Sequence, residues 1–69
     1  MGAVMTRGTR LLVTRTTEAG EVVPVREGAV LGPCPGDASR VLVLWYAGAR
    51  GRERVQVVRV SDAIGWVWR

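Results

Sequence analysis

Three arginines lie close together in one short segment of the chain: Arg50, Arg52 and Arg54. A guanidinium group is planar and donates paired hydrogen bonds to phosphate or carboxylate oxygens. Gly48 and Gly51 allow a tight turn here, so the three side chains could grip a phosphate backbone. The same cluster is also typical of a solvated hairpin tip whose charges keep a sheet edge soluble. The segment alone leaves both interpretations open.

Four aromatic side chains make up the whole aromatic set, and they are Trp45, Tyr46, Trp66 and Trp68. A domain this small must use one or two of them in its core. The others could stack on bases, clamp a proline or pack against a protein partner. The sequence favours a core or self-interface role somewhat over a ligand platform.

The chain offers little for catalysis. It has no His and no Lys, and its single thiol, Cys34, lies in a Gly/Pro-rich segment without a base to activate it. One cysteine cannot close an intramolecular disulfide or anchor a zinc site. We therefore predict no catalytic residue, no cofactor and no metal site, and we interpret the chain as a binding protein rather than an enzyme.

The charge balance indicates the class of partner. All ten basic residues are Arg and the formal net charge is +4, which favours nucleic acid or an acidic protein surface as the partner. The use of Arg, Val, Gly and Ala without Lys, Asn or Phe is also typical of a GC-rich bacterial genome. No apolar run approaches the ~20 residues that span a membrane, so we expect a soluble, cytoplasmic protein.

The elements that must position these side chains are short strands. In 69 residues we expect one domain, with a flexible leader over residues 1–8 and a folded unit over residues 9–69. Strand-like composition covers residues 10–16, a turn follows at 18–21, and 22–26 is extended, with Pro24 at an edge, a bulge or an open loop. A turn at 26–28 then leads to a short strand at 29–31 and a loop at 32–39.

The strongest signal is a β-hairpin formed by residues 41–46 and 54–60. Alternation gives its first strand two apolar faces, one with Val41, Val43 and Trp45 and the other with Leu42, Leu44 and Tyr46. The second face therefore needs a cover, either within the chain or from a second subunit. The doubled Val57-Val58 predicts a bulge or a sharp bend in the return strand, where it would pass from one sheet to the next. Residues 61–65 predict one helical or 3₁₀ turn, and residues 66–68 a last strand that pairs with the first.

This order resembles the SH3-like small barrels, the group that includes Tudor-type and KOW-type modules. The resemblance covers about residues 9–69. It is carried by residues 26–31 and by two patterns, Val41-x-Val43-x-Trp45-x-x-Gly48 and Val55-x-Val57-x-x-Val60 with Asp62 near its end. It implies an all-β fold, a five-stranded SH3-like barrel with one 3₁₀ turn before the last strand.

A second resemblance concerns residues 55–58, which are similar to the Val-Gln-Ile-Tyr segment of plasmid-type SH3-barrel dihydrofolate reductases. Those enzymes build one active site from several copies of the barrel. The resemblance implies that Gln56 would contact pterin and nicotinamide. The chain departs from that pattern, because Val58 stands in place of the tyrosine and no Lys is present to attract the substrate carboxylate.

Two main hypotheses about function follow. In the first, the chain binds nucleic acid or ribonucleoprotein, with Arg50, Arg52 and Arg54 on phosphates and Tyr46, Trp66 and Trp68 stacking on bases. In the second, it is a protein-interaction or self-assembly module that binds a protein partner or forms a homo-oligomer. Its interface would consist of Leu42, Leu44, Tyr46, Trp66 and Trp68. The oligomeric reductase is a third and more remote interpretation.

Overall fold

The chain folds as one antiparallel sheet followed by a short helical segment. The structure is a computed structural model that describes residues 5–48 and 51–68. The strands pair in sequence order, β1-β2-β3-β4. Their bounds are β1 (Arg10–Thr16), β2 (Val22–Cys34), β3 (Asp37–Trp45) and β4 (Arg54–Arg59), and they are followed by α1 (Val60–Ala63) and the 3₁₀ turn η1 (Ile64–Trp66). The predicted strand at 10–16 and the hairpin of residues 41–46 and 54–60 are confirmed, the latter as β3 and β4.

The long strand β2 joins the two halves of the sheet. Its first part pairs with β1 and its last part with β3, and both ladders contain a register shift. Against β1 the shift passes over Val25, beside Pro24. Against β3 one shift passes over Leu31, and a second lies between Pro33 and Cys34, next to the turn. Such irregularities bend a strand and increase its twist. Pro24 therefore lies at a bulge, one of the three predicted places, whereas the predicted turn at 26–28 is wrong because β2 runs through it.

Gly28 explains why the strand continues there without a side chain. It pairs with Leu11 on β1 and with Trp45 on β3. A Cβ atom added at Gly28 would lie 2.3 Å from the Leu44 carbonyl oxygen and 2.9 Å from Cε3 of Trp45. Real Cβ atoms do not approach backbone this closely. The glycine is needed for close packing under the Trp45 ring.

The predicted loop at 32–39 is wrong, because the chain reverses within two residues. Cys34 pairs with Asp37 across Pro35 and Gly36, and Gly36 has a φ of 79°, which glycine adopts readily. Just after the turn, the Asp37 carboxylate accepts hydrogen bonds from the hydroxyl and the backbone N–H of Ser39. These two bonds, the side-chain bond first, lower the pKa of Asp37 below its ordinary value.

The ladder between β3 and β4 is regular. It runs from the pair Arg40–Arg59 to the pair Trp45–Arg54 without a register shift. The bulge predicted from Val57-Val58 is therefore wrong. The two valines point to opposite faces of the sheet. Val58 is buried in the core, and Val57 is exposed on the outer face. The register shifts of the sheet lie in the ladders of β2 instead.

The C-terminal segment differs from the predicted strand at 66–68. The predicted helical or 3₁₀ turn is confirmed, but Trp66 still belongs to η1, and only Val67 forms a bridge, to Leu11 of β1. The N–H of Trp68 also donates to the Arg10 carbonyl at 2.9 Å. The predicted pairing with the first strand is thus present at a single residue pair. The sheet of the described residues has four strands and is not closed, so the five-stranded barrel is not confirmed.

The core lies between the inner face of the sheet and the α1–η1 segment. Its buried members are Met5, Leu11, Val30, Val41, Val43, Trp45, Val58 and Ala63. The predicted inner face of β3 is confirmed by this set. Met5 is only 8% exposed, so core packing begins inside the segment predicted as a leader. No helix in the described part of the chain is long and apolar enough to cross a membrane.

We predict that Gly28→Ala destabilises the fold by about 2–3 kcal/mol, because the added methyl group must displace backbone of β3. The midpoint of thermal or urea unfolding measures this. Gly48→Ala is the matched control, since a Cβ there meets nothing within 4 Å. Equal stability of the two variants would contradict the packing role assigned to Gly28.

Candidate functional site

An open cleft of about 500 Å³ lies beside the C-terminal end of β3. Three of the predicted site residues line it, namely Tyr46, Arg52 and Arg54. Arg26 and Trp45, which sequence reasoning did not place in a site, line it as well. We call this the arginine cleft, and its lining is Val25, Arg26, Trp45, Tyr46, Gly48, Gly51, Arg52 and Arg54.

The strand register accounts for this gathering of residues. Arg54 is the direct partner of Trp45 on β4, and Gly28 is its partner on β2. Arg26 lies two residues before Gly28, on the same face of β2, so its side chain reaches the Trp45 ring. Neighbouring strands thus bring two arginines from distant parts of the sequence to one end of the inner face.

Trp45 is the fixed element of the site. Its indole N–H donates to Oε1 of Gln56 at 2.8 Å, and the same oxygen accepts from Nη1 of Arg26 at 3.4 Å. The Arg26 guanidinium carbon lies 5.3 Å from the centroid of the Trp45 ring, a cation–π geometry. The Trp66 ring packs edge-on against the Trp45 ring, and the two ring centroids are 5.8 Å apart. Trp45 and Arg26 therefore hold each other in place.

The cleft carries positive charge. Among the described residues, ion pairs join Arg10 to Glu27 and Arg40 to Asp37. Neither pair involves Arg26, Arg52 or Arg54, so in that part of the chain these three arginines have no carboxylate within 4.0 Å. Three guanidinium groups around one concave surface attract an anion from solution.

The aromatic side chains of the site differ in their access to a ligand. Trp45 is only 4% exposed and is covered by Arg26, whereas Tyr46 is 42% exposed and lines the cleft. A planar ligand can therefore stack on Tyr46 but not on Trp45. Trp45 therefore supports the cleft from within, whereas the ring of Tyr46 is available to a partner.

The remaining predicted site residues lie elsewhere. Trp66 is half-buried against the core and lines a second open cleft of about 400 Å³, together with Arg26 and Gln56. The Arg10 guanidinium lies over Trp68, with its carbon atom 4.5 Å from the centroid of the Trp68 ring. Leu42 and Leu44 are half-buried on the outer face of β3, away from the core. Arg50 lies outside the described residues.

The predicted nucleic-acid set is thus divided. Tyr46, Arg52 and Arg54 meet in the arginine cleft, but Trp66 and Trp68 do not line it. They were expected to share a face of one strand, yet Trp66 ends a 3₁₀ turn and contacts Trp45 while Trp68 contacts Arg10. The predicted interface set is divided too, because Leu42 and Leu44 lie on the opposite face of the sheet from Trp66.

Sequence reasoning missed Arg26 because the segment around it was interpreted as a turn. Its spacing of two residues from Gly28 was the available signal, since a glycine in a strand often marks close approach of another side chain.

Comparison of the chain with models of known protein families, with curated proteins and with solved structures found no match.

We predict that Gln56→Leu destabilises the protein by about 1 kcal/mol, because it leaves the part-buried indole N–H of Trp45 without its acceptor. Gln56→Glu keeps an acceptor oxygen and gives Arg26 a charged partner, so it should remain close to wild type. The free energy of unfolding of both variants is measured by urea denaturation. Equal destabilisation of the two would show that the Trp45–Gln56 bond does not support the site.

Proposed function

We propose that the chain binds single-stranded nucleic acid in the arginine cleft. The observation that carries the proposal is the presence of Arg26, Arg52 and Arg54, none paired with a described carboxylate, around a concave surface beside the exposed ring of Tyr46. A cleft of about 500 Å³ is in the range that takes a small ligand such as one nucleotide.

The chemistry of the cleft matches a single strand. Arginines bind phosphate oxygens without regard to sequence, and an exposed aromatic ring stacks on any base that is not paired. A single strand presents both groups at once, whereas bases in a duplex are already stacked on each other. The expected binding is therefore tolerant of sequence and strongly dependent on salt.

We also propose that the fold is an SH3-like small barrel, as the sequence resemblance implies. Three features support this proposal: the register shifts in the ladders of β2, the 3₁₀ turn after β4, and the bridge that brings Val67 to the first strand. The reductase resemblance stays a prediction. Gln56 already accepts hydrogen bonds from Trp45 and Arg26, so a pterin or nicotinamide would have to compete for that oxygen.

A separate observation favours protein interaction as a second function. On the outer face of the sheet, Val55 is 57% exposed and Val57 is 45% exposed. Their partners on β3 are Leu44 and Leu42, which are only half-buried. A continuous apolar surface of this kind is typical of a surface that contacts another protein.

We predict measurable affinity for a fluorescently labelled single-stranded oligonucleotide of mixed sequence, read by polarisation. If three arginines neutralise three phosphates, the slope of log K against log salt is about −2. The affinity should then fall about 20-fold between about 50 and 200 mM salt. An affinity that does not change with salt would contradict phosphate binding.

Variants of the cleft separate a specific site from general positive charge. Arg52→Ala and Arg54→Ala should each weaken binding and make the salt slope less steep by about 0.7. The matched control is Arg15→Ala, which removes the same charge from an exposed position of β1 outside the cleft lining. Equal weakening by Arg15→Ala would assign the binding to net charge rather than to the cleft.

The role of Tyr46 is tested by a pair of substitutions. Tyr46→Leu should weaken binding by roughly 5- to 150-fold, because base stacking on an aromatic ring contributes about 1–3 kcal/mol. Tyr46→Phe keeps the ring and should bind as wild type. Loss of binding in both variants, with the fold intact, would contradict stacking.

A further inference from the structure

The strand β4 lies at an edge of the sheet. The strand order is β1-β2-β3-β4, and β4 pairs only with β3 among the described residues. In an antiparallel ladder, alternate residues of an edge strand direct both backbone N–H and C=O away from their partner. Such groups form a template on which a further strand can pair. β4 therefore has unused backbone hydrogen-bonding capacity along its length.

The outer face of this edge carries a self-complementary pattern. Val55, Val57 and Arg59 lie on that face of β4, and Glu53, directly before the strand, continues the same alternation in the sequence. All four are exposed. When two copies of this pattern lie side by side in opposite directions, an acid faces a base at each end and valine faces valine in the middle. This pairing of charge with opposite charge is what distinguishes a second copy of the chain from an unspecified partner.

We propose that two copies of the chain pair through β4, antiparallel, about a two-fold axis at Gln56. In this register Val55 faces Val57 of the second copy, and Glu53 faces Arg59 of the second copy. The two sheets then form one eight-stranded sheet, twice the four strands of one copy. A closed two-fold contact of this kind pairs the β4 edges of both copies at once, so neither β4 strand is left free to pair with a third copy.

Neighbouring registers are worse by the same criteria. A shift of two residues in one direction places Val57 against its own copy but Val55 against Arg59. A shift in the other direction places Val57 against Glu53. Either shift separates the opposite charges and sets an apolar side chain against a charged one. A shift of a single residue would bring residues from opposite faces together.

The dimer also gives the outer apolar surface a continuous extent. Val55 and Val57 pair with Leu44 and Leu42 within one copy. Across the axis, the two valines of one copy meet the two valines of the other. The apolar strip therefore runs from β3 of one copy to β3 of the second. Exposed valines that appear surplus in one chain become the centre of the contact.

This inference does not rest on the proposed nucleic-acid function. The contact uses the backbone edge and the outer face of β4. The Arg54 side chain, on the inner face of the same strand, lines the arginine cleft, and Arg52 and Tyr46 line it from outside β4. Arg52→Ala should leave the dimer intact, and variants of Glu53 should keep oligonucleotide binding in each chain. Failure of one proposal can therefore be told apart from failure of the other.

The test is the mass of the full chain in solution, by native mass spectrometry and light scattering over a dilution series. We expect a species of twice the 7.5 kDa chain mass that dissociates on dilution. A monomer at every concentration would overturn the proposal. A continuous series of larger species would also overturn it, because the two-fold contact closes.

Charge reversal tests the register. Glu53→Arg or Arg59→Glu sets like charges opposite each other at both ends and should weaken dimerisation by roughly tenfold or more. The double variant Glu53→Arg with Arg59→Glu restores opposite charges and the wild-type net charge, so its dimer should return to within about threefold of wild type. Glu18→Arg and Arg15→Glu are matched controls at exposed positions away from β4 and should change little.

Circular dichroism and thermal unfolding confirm that each variant is folded, which is expected because Glu53 and Arg59 are exposed. A dimer that tolerates both single reversals would overturn the proposed contact. Weakening that the double variant does not repair would overturn the register.

Discussion

The structure depends on the way one buried tryptophan is held. Trp45 lies against the bare backbone of Gly28, where a Cβ atom would be only 2.9 Å from its ring. Its N–H is bound by Gln56 on β4, and its ring contacts Arg26 from β2 and Trp66 from the 3₁₀ turn. Three separate parts of the chain are thus fixed to one side chain. The position of Arg26 in the cleft follows from the same contacts, since the guanidinium lies on the ring that closes the core.

The two surfaces of the sheet have different chemistry as a result. The inner face ends in a charged concave surface, where arginines gather around the edge of the core without described carboxylate partners. The outer face of β3 and β4 is apolar and, at Val55 and Val57, exposed. Among the described residues, one face of the sheet encloses the core and presents the cleft, and the outer face of β3 and β4 stays exposed at Val55 and Val57.

Local signals predicted part of this arrangement and not the rest. The hairpin and its buried set of Val41, Val43 and Trp45 follow from alternation, because period-two patterning survives in any sheet with one buried face. The turn predicted at 26–28 is wrong because a glycine that permits a turn and a glycine that permits close packing, as Gly28 does, look the same in a sequence. At Gly36 the chain does turn, but within two residues rather than over the predicted loop at 32–39. Arg26 joined the site through pairing across strands, which depends on register and cannot be read locally. The aromatic spacing of Trp66 and Trp68 suggested one face, but the 3₁₀ turn separates them.

Binding of nucleic acid at the arginine cleft would change the surroundings of Trp45 more than those of the other tryptophans. The three indole N–H groups of the protein give three separate signals in a ¹⁵N-correlated NMR spectrum. On titration with a single-stranded oligonucleotide, the Trp45 signal should shift, because its N–H lies between Gln56 and Arg26 at the cleft wall. The Trp66 signal should shift less, and the Trp68 signal should stay near its free position. Bound oligonucleotide that moves the Trp68 signal and leaves that of Trp45 unchanged would contradict the account.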